Sequence, residues 1–520
     1  MKKIFILSAI LSLALATISC EKDYLQTSPT SSTSPSTIFA STENAKLAIN
    51  GINRLMVSQW IGSQGFNGEG TVKLYHGEYP GNDLFVNLTG WANTINGKYH
   101  TNRTVAYDYF PWLYYYKLIA NANTIIANID GAEGTDDERN FIKAQALTYR
   151  AYCYTMLVQL YCPRWTDSQN GTYNLDKTGV VIRTTPANDE DKDMPASASG
   201  AVYTQIYADL DEAIKLFGES SEKRTENYEV NIDVAYATYA RAALTKQDYS
   251  TALTYAKLAR KDYPLMSVSD YKSGFFSPTS EWIWSSYGGT TQNLYYYSYQ
   301  AYVAYNSTAS AVRTTPKCIS RQLFDQISDN DIRKALFLDP QKDSYTKTSG
   351  KAGTALNTRG RTYAAADGRL GIASNATVFA YMQLKIACED VPGIGWLNHF
   401  RSSEMVLIEA EANYFLKNES AAQNALVELN ATSKRYPGYT CSLTGEDLLN
   451  EIKLYRRIEL WGEGFNWFDY KRWGDTVSRK TYDEGGNFFA AIALDIAPDA
   501  ENAWTWMIPE KEYQYNDSID

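Results

Sequence analysis

The sequence contains very little histidine and little cysteine. Its 520 residues include three histidines, His76, His100 and His399, and none belongs to a metal-ligating pattern such as H-E-x-x-H. Apart from Cys20, the cysteines are scattered without the close spacing of a zinc site: Cys153, Cys162, Cys318, Cys388 and Cys441. We therefore expect no metal and no cofactor. Most of these cysteines are expected to be buried as small apolar residues, and their pairing is left open.

The chain also lacks an excess of positive charge. It carries 49 Lys and Arg against 59 Asp and Glu, which gives a formal net charge of -10. Binding to phosphate groups requires clustered lysine and arginine side chains. The composition therefore argues against nucleic acid and against an anionic membrane surface as partners.

Long apolar runs are missing too, except for one at the start. Lys2 and Lys3 precede an apolar run from Ile4 to Ala16, which is too short to span a bilayer. This pattern is typical of a secretory signal over residues 1–19. Cys20 at the cleavage position then predicts a lipoprotein, in which the acylated cysteine anchors the chain to a membrane. Ordinary secretion with a chance cysteine is the alternative.

The segment after this cysteine is rich in serine, threonine and proline. Residues 20–40 are therefore predicted to be a lipidated N-terminus and a flexible tether. A helical period of apolar residues then predicts a helix from about Ser41 to Met56.

Glycine, asparagine and aromatic residues occur without such a period from Trp60 to His100. We expect a long, ordered loop region there, of the kind that often binds ligands.

Helical periodicity dominates from Trp112 onward, and two stretches match a 34-residue tetratricopeptide frame. The frames start at Asp233 and Ser403, each with two alanines twelve residues apart and a short polar turn between them. The second copy is degenerate, because Glu409 and Asn413 stand at normally apolar positions, so a chance match of helical hairpins stays open. The sequence predicts a mainly α scaffold of tetratricopeptide-like helix pairs.

An inserted subdomain interrupts this scaffold over about residues 275–397. It is rich in loops and tyrosine, and it contains few short strands, one of them predicted at Glu281–Trp284. A run of rings follows at Tyr295–Tyr297. The polar, Gly- and Thr-rich residues from Ser344 to Ser374 are expected to form an exposed excursion.

The most distinctive stretch of the sequence runs from Arg456 to Gly474. Acidic, arginine and aromatic residues alternate there, with glycine at 462 and 464, which predicts a helix, a tight turn and a short helix. Arg456, Glu459 and Glu463 would share one helical face. We expect ion pairs beneath an aromatic cover, with Arg457, Asp469 and Arg472 as further partners.

This block resembles the C-terminal signature of the SusD/RagB family, the surface lipoproteins that cap TonB-dependent transporters of the SusC type. The matching positions are Arg456, Glu459, Leu460, Glu463, Gly464, Asp469, Arg472 and Trp473. Asn466 and Tyr470 depart from the usual arginine and leucine. The helix from Arg401 and the ending Ile508–Glu512 are also similar to the family.

The resemblance implies one SusD-like domain over residues 41–520. Its N-terminal part would cover about 41–265 and its C-terminal SusD/RagB part about 300–520. It further implies a lipid-anchored protein at the cell surface of an outer membrane, which captures a nutrient oligomer, most often a glycan, and delivers it to a SusC-like transporter.

An enzymatic reading starts from Glu459 and Glu463. Glycosidases need two carboxylates that face each other across the sugar, usually from different elements. Two glutamates on one helical turn among arginines would both be held ionised, so neither could easily act as an acid. The sequence also shows no nucleophile elbow and no phosphate-binding loop. We expect no enzyme, with glycoside hydrolysis kept as an alternative.

A binding reading starts from the aromatic residues, which make up 14% of the chain, many of them outside helical stripes. Flat rings with nearby amides suit the apolar faces and hydroxyl rims of sugars, although peptides and core packing also use such rings. The predicted ligand contacts are Trp91, Asn93, Tyr295, Tyr296 and Tyr297. A pure protein-interaction scaffold is the third alternative, since helix pairs of this kind commonly bind proteins.

Overall fold

The computed structural model describes residues 35–60, 66–87, 92–166, 178–188, 193–291, 297–366, 369–497 and 504–519. The predicted signal at 1–19, the lipid site Cys20 and the tether up to residue 34 lie outside these ranges. Among the residues described, no helix is long and apolar enough to cross a membrane.

The described part of the chain is mainly helical. Its α-helices are, in chain order, α1 Pro35–Ile38, α2 Thr42–Leu55, α3 Gly68–Thr71, α4 Ala92–Ile95, α5 Ala106–Asn128, α6 Asp136–Tyr161, α7 Ser199–Glu219, α8 Ile232–Thr245, α9 Tyr249–Ala259, α10 Val268–Tyr271, α11 Tyr299–Val303, α12 Ser310–Arg313, α13 Arg321–Phe324, α14 Thr354–Ala364, α15 Ser402–Phe415, α16 Glu419–Val427, α17 Gly445–Glu459, α18 Asn466–Trp473 and α19 Glu510–Tyr515. π-Helices cover Val72–Glu78 and Glu428–Thr432.

Six short strands form three antiparallel pairs among these residues. The strands are β1 Leu84–Val86, β2 Trp282–Gly288, β3 Lys317–Ile319, β4 Gly395–Arg401, β5 Val477–Ser478 and β6 Asp495–Ile496. β1 pairs with β3, β2 with β4, and β5 with β6. The mainly α class with few strands is confirmed, and so is the strand predicted at Trp282.

Local sequence explains why several helices begin where they do. The Ser41 side chain accepts a hydrogen bond from Asn44 N–H at the start of α2, as predicted. Thr135 and Glu138 form a reciprocal capping box at the start of α6. α5, α6 and α7 then pack side by side, with the small and apolar positions of the helical period buried.

The two tetratricopeptide-like hairpins, α8–α9 and α15–α16, share the same turn. Gln247 and Lys417 both have positive φ, at 60° and 63°. Each precedes a side-chain N-cap, Asp248 in the first hairpin and Asn418 in the second. The frame and its turns are therefore confirmed.

The polar positions of the second hairpin have a specific partner. Arg260, at the end of α9, ion-pairs with Glu409 of α15 and lies 2.6 Å from Glu428. Asn413 donates to the Glu409 carbonyl at 2.8 Å. The two hairpins pack against each other through an ion pair as well as through apolar contacts, which explains why this copy looks degenerate.

The prediction of a long, ordered loop region from Trp60 to His100 is wrong for residues 66–86, which are buried and include α3, the π-helix Val72–Glu78 and β1. The reason is close backbone approach. A Cβ at Gly70 would lie 2.7 Å from Tyr299 Cβ, and one at Gly77 would lie 2.3 Å from Gly464 O. Packing of this kind relies on glycine and leaves no apolar period.

The exposed excursion expected at 344–374 is confirmed, because most of its described residues are exposed or half-buried. It contains α14, whose Leu356, Gly360 and Ala364 are buried one turn apart. The cysteine prediction is confirmed, because Cys153, Cys162, Cys318 and Cys388 are buried, Cys441 is half-buried, and all five are free thiols.

Candidate functional site

Four cations and four carboxylates meet inside the protein near the ends of β4 and α17. We call this the buried ion cluster, and it consists of Glu281, Asp331, Arg333, Lys385, Arg401, Arg435, Glu459 and Glu463. The charges balance, and every member is buried. Burying ions is costly unless they are paired in this way.

Arg401 lies at the centre of the cluster. Its Nη1 is 2.6 Å from Glu281 and 2.7 Å from Glu459, and its Nη2 is 2.7 Å from Glu463. Arg435 adds a second contact to Glu281 at 2.6 Å. The Arg401 guanidinium, at the end of β4, thus connects the start of β2 with the end of α17.

The electrostatics of the cluster oppose acid catalysis. Burial alone would raise the pKa of Glu459, but the guanidiniums of Arg435, Arg401 and Arg333 hold that pKa well below its ordinary value. Burial likewise opposes ionisation of Glu463, and its cationic neighbours lower the pKa of that carboxyl as well. Both glutamates are therefore ionised partners of arginine or lysine, which is a structural role.

The expected pairing of Arg456 with Glu459 is wrong. Arg456 Nε instead lies 2.7 Å from Asp469, which also binds Arg472 at 2.9 Å. Positive φ at the glycines 462 and 464 allows a turn between α17 and α18, and this turn brings Asp469 to Arg456. Trp473 donates to Glu411, the second partner of Arg472.

The structure leaves most of the predicted ligand contacts undescribed. Trp91, Tyr295 and Tyr296 lie outside the described residues. The backbone of Asn93 belongs to α4, but its side chain is outside the described part of the chain. Tyr297 is half-buried, directly before the Ser298 cap of α11. The residues that flank these two segments, 84–87 and 298–303, are described.

Lys317 connects these two flanking regions, and we call the region of Val86, Lys317 and α11 the loop corner. Val86, the last residue of β1 before 88–91, pairs with Lys317 of β3. The Lys317 ammonium lies 5.9 Å from the ring centroid of Tyr302 on α11. Burial, and to a smaller degree Tyr297, raise the pKa of Tyr302, which is about 12. Lys317 therefore contacts both the strand that precedes the Trp91 segment and the helix that follows Tyr297.

Lys317 is an unusual residue at this corner. Its side chain is buried, and Nζ donates to the Ala311 and Thr315 carbonyls at 2.9 and 3.2 Å. Burial lowers the pKa of this ammonium to about 7. Tyr302 and Tyr305, which follow the run Tyr295–Tyr297, are also buried and form part of the core beneath the loop corner.

Arg479 holds the other end of the Trp91 segment. Its guanidinium donates to the carbonyls of Gly81, Tyr79, Pro80 and Ile95 at 2.7–3.1 Å. It also donates to Asn96 Oδ1 at 2.9 Å and to the Ile492 carbonyl at 3.4 Å. Burial lowers the pKa of Arg479 to about 9. One planar group with five N–H donors thus fixes residues 79–81 and 95–96 on either side of 88–91.

Sequence reasoning missed both Lys317 and Arg479. Their acceptors are mainly backbone carbonyls, and a carbonyl carries no residue signature. Within the described ranges, no group of three or more His, Cys, Asp or Glu side chains is placed to hold a metal ion.

A separate surface pocket of ≈ 500 Å³ lies between α14 and the segment before it. Asp339, Gln341, Arg359 and Tyr363 line it. Arg359 is already paired with Asp343 at 2.7 Å, and Tyr363 donates its hydroxyl to the Ala335 carbonyl at 2.6 Å. The polar groups of this pocket are largely satisfied by the protein itself.

Comparison with known sequences gives two matches that together span most of the chain. Residues 239–518 match the SusD family, and residues 23–244 match a SusD-like family described as "Starch-binding associating with outer membrane". No curated protein matches the chain.

Several solved structures share the fold over most of their length. A SusD-like carbohydrate binding protein from Bacteroides vulgatus ATCC 8482 is 24% identical, covers 92% of this chain and 98% of its own, and has a TM-score of 0.73. A SusD superfamily protein from Bacteroides thetaiotaomicron VPI-5482 is 22% identical over 92% and 99%, with a TM-score of 0.72. Surface glycan-binding protein A from Bacteroides thetaiotaomicron is 18% identical over 93% and 99%, at 0.64.

Proposed function

The chain belongs to the SusD family, and on that premise we propose that it binds a glycan at the cell surface and delivers it to a SusC-like TonB-dependent transporter in the outer membrane. The glycan would be held at the loop corner by Trp91, Asn93 and the rings of Tyr295, Tyr296 and Tyr297. The protein would be held to the outer membrane by lipidated Cys20.

The observation that carries this proposal is that Lys317 contacts the elements that flank two aromatic segments. The segments containing Trp91 and Tyr295–Tyr297 leave the core at Val86 and at α11, which Lys317 joins. Arg479 holds the backbone beyond Trp91. Rings presented from a rigid base bind a sugar at a lower ordering cost than rings on a freely moving loop.

The helix-pair scaffold offers a separate surface for the transporter. Leu258 of α9 and Leu416, next to the second hairpin's turn, are 40% and 44% exposed. Scaffolds of stacked helix pairs present extended surfaces that bind partners, and these two leucines would contact the transporter there. Leu258→Glu with Leu416→Glu should reduce co-purification with the transporter and leave glycan affinity unchanged.

A glycan array followed by calorimetry tests the ligand. Maltoheptaose is the first probe, because the matching family description names starch. For the best-binding glycan, Trp91→Ala should weaken affinity about tenfold or more and leave the melting temperature nearly unchanged. Tyr515→Ala is the matched control, since this ring is 79% exposed on α19, outside the loop corner.

Three outcomes would contradict the proposal. Unchanged affinity in Trp91→Ala and in the Tyr295→Ala/Tyr296→Ala double variant would place the site elsewhere, with the 500 Å³ pocket as the next position to test. Binding to peptides and to no glycan would favour the peptide alternative. Hydrolysis of the bound glycan by the purified protein would favour an enzyme.

A further inference from the structure

An apolar groove of ≈ 430 Å³ runs between α2 and α5 beside α1. Ile38, Ala48, Ile52, Leu55 and Ile125 line its walls, and Arg54 stands at its edge. The groove is open at Gly51, where a Cβ would meet no atom within 4 Å. Leu47, one turn earlier on the same helix, is 69% exposed. Apolar side chains placed in this groove would remove both their own surface and that of its walls from water, which is favourable.

We propose that Tyr24 and Leu25, from the chain's own N-terminal segment, occupy this groove. α1 begins at Pro35 and its Ile38 forms part of the groove wall, so the preceding segment arrives at the site itself. Nine residues, 26–34, separate Leu25 from Pro35, and they can span at most about 30 Å, which is enough to double back. Between Cys20 and Pro35, Tyr24 and Leu25 are the only bulky apolar residues.

The charge at the edge of the groove is opposite to the charge of the N-terminal segment. Arg54 is exposed, and among the described residues no carboxylate lies within ion-pair distance of its guanidinium. Glu21 and Asp23 directly precede Tyr24. An acidic group next to Arg54 would orient the segment in the groove, although an exposed pair contributes little affinity.

This docking changes how far the domain stands from the membrane. A free segment from Cys20 to Pro35 could extend to about 50 Å. With Tyr24 and Leu25 held, only residues 21–23 remain free, which reach about 10 Å. The face formed by α2 and α5 would then lie against the bilayer, and the orientation of the loop corner would be fixed rather than free.

Disulfide trapping tests the contact on the full mature chain. Leu25→Cys is combined with Gly51→Cys in a Cys20→Ala background, so that the protein is purified without lipid. The open space at Gly51 accepts the new side chain. The control pairs Leu25→Cys with Gly200→Cys, an equally open helical glycine at the start of α7. Mass spectrometry of the linked peptides separates these bonds from those of native cysteines.

We expect the Leu25–Gly51 pair to be oxidised at least tenfold faster than the Leu25–Gly200 pair. Tyr24→Ser with Leu25→Ser should increase amide hydrogen exchange over residues 48–55 and 121–125, whereas Gln26→Ser with Thr27→Ser should not. Equal trapping of both pairs, or unchanged exchange, would overturn the proposal. Protection of the groove that grows with protein concentration would overturn it too, because it would identify a second copy as the occupant. The test uses unlipidated protein, so its outcome is independent of glycan binding and of the anchor.

Discussion

Arg401 and Glu459 lie 2.7 Å apart in the protein interior, with side-chain exposures of 1% and 0%. Arg401 ends β4 and Glu459 ends α17, so this contact joins β4 to a C-terminal helix. Glu459 also binds Arg333 at 2.9 Å and Arg435 at 3.3 Å. Three guanidiniums therefore share this carboxylate, in addition to Asp331 for Arg333 and Glu281 for Arg401 and Arg435.

Removing that carboxylate should destabilise the fold strongly. In Glu459→Ala, three buried cations lose a partner, and we expect a loss of about 3–5 kcal/mol in the free energy of unfolding, measured with denaturant. Glu212→Ala, which breaks an exposed pair with Lys215, is the control and should cost less than about 1 kcal/mol. A normally stable Glu459→Ala protein that has lost only a hydrolytic activity would support an enzyme instead.

Glu78 should make stability depend on pH. Its carboxyl is buried and accepts hydrogen bonds from Gly464 and Phe465 N–H at 2.6 and 3.2 Å. Burial raises its pKa to about 8. The folded state thus keeps a proton that the unfolded state releases near the ordinary glutamate pKa of 4.5, so the stabilisation is complete below about pH 4.5 and is lost as pH rises to about 8.

Glu78→Gln isolates this effect, because the amide oxygen can still accept from Gly464 and Phe465. Over that pH range, the stability of the wild type should fall relative to the variant by up to about 1.4 kcal/mol per pH unit. Urea unfolding at pH 5, 6.5 and 8 measures the difference. A constant difference across these three values would mean that Glu78 does not titrate in this range.

Arg479→Lys should weaken ligand binding without contact to the ligand. A lysine has three donors and lacks the planar fork, so it cannot hold the carbonyls of residues 79–81 and Ile95 together. We expect a loss of about 1 kcal/mol of binding free energy, roughly fivefold in affinity. Lys480→Ala, which removes an exposed pair with Asp495, is the neighbouring control. Equal affinity in wild type and Arg479→Lys would show that this residue does not organise the site.

Cys20→Ala should release the protein from the membrane fraction. The substitution removes the thiol that would carry the lipid, and it lies outside the described fold, so circular dichroism should stay the same. Fractionation of cells that express either form measures the effect. Retention of the variant in the membrane fraction would contradict the lipid anchor.

The helical scaffold could be predicted because its determinants are local. Small residues such as Ala240 and Ala252 at helical spacing, and caps such as Ser41, specify helices and their buried faces from a few neighbouring residues. The helix, turn and helix of the block from Arg456 to Gly474 could also be predicted, because glycine favours the turn between α17 and α18. Its residue types showed that charges would be buried, but not which charges would meet.

Partner choice was decided by the tertiary structure alone. Arg456 binds Asp469 rather than Glu459, and Glu459 binds arginines that are 24 to 126 residues away in the chain. Residues 66–86 are buried because glycines let backbones touch, which leaves no periodic signal in the sequence. Arg479 organises the candidate site through backbone carbonyls, which every residue possesses. Helical periodicity and helix caps depend on neighbouring residues, so the sequence specifies them directly. Contacts between residues far apart in the chain form only in the folded structure, so the sequence alone does not show which residues meet.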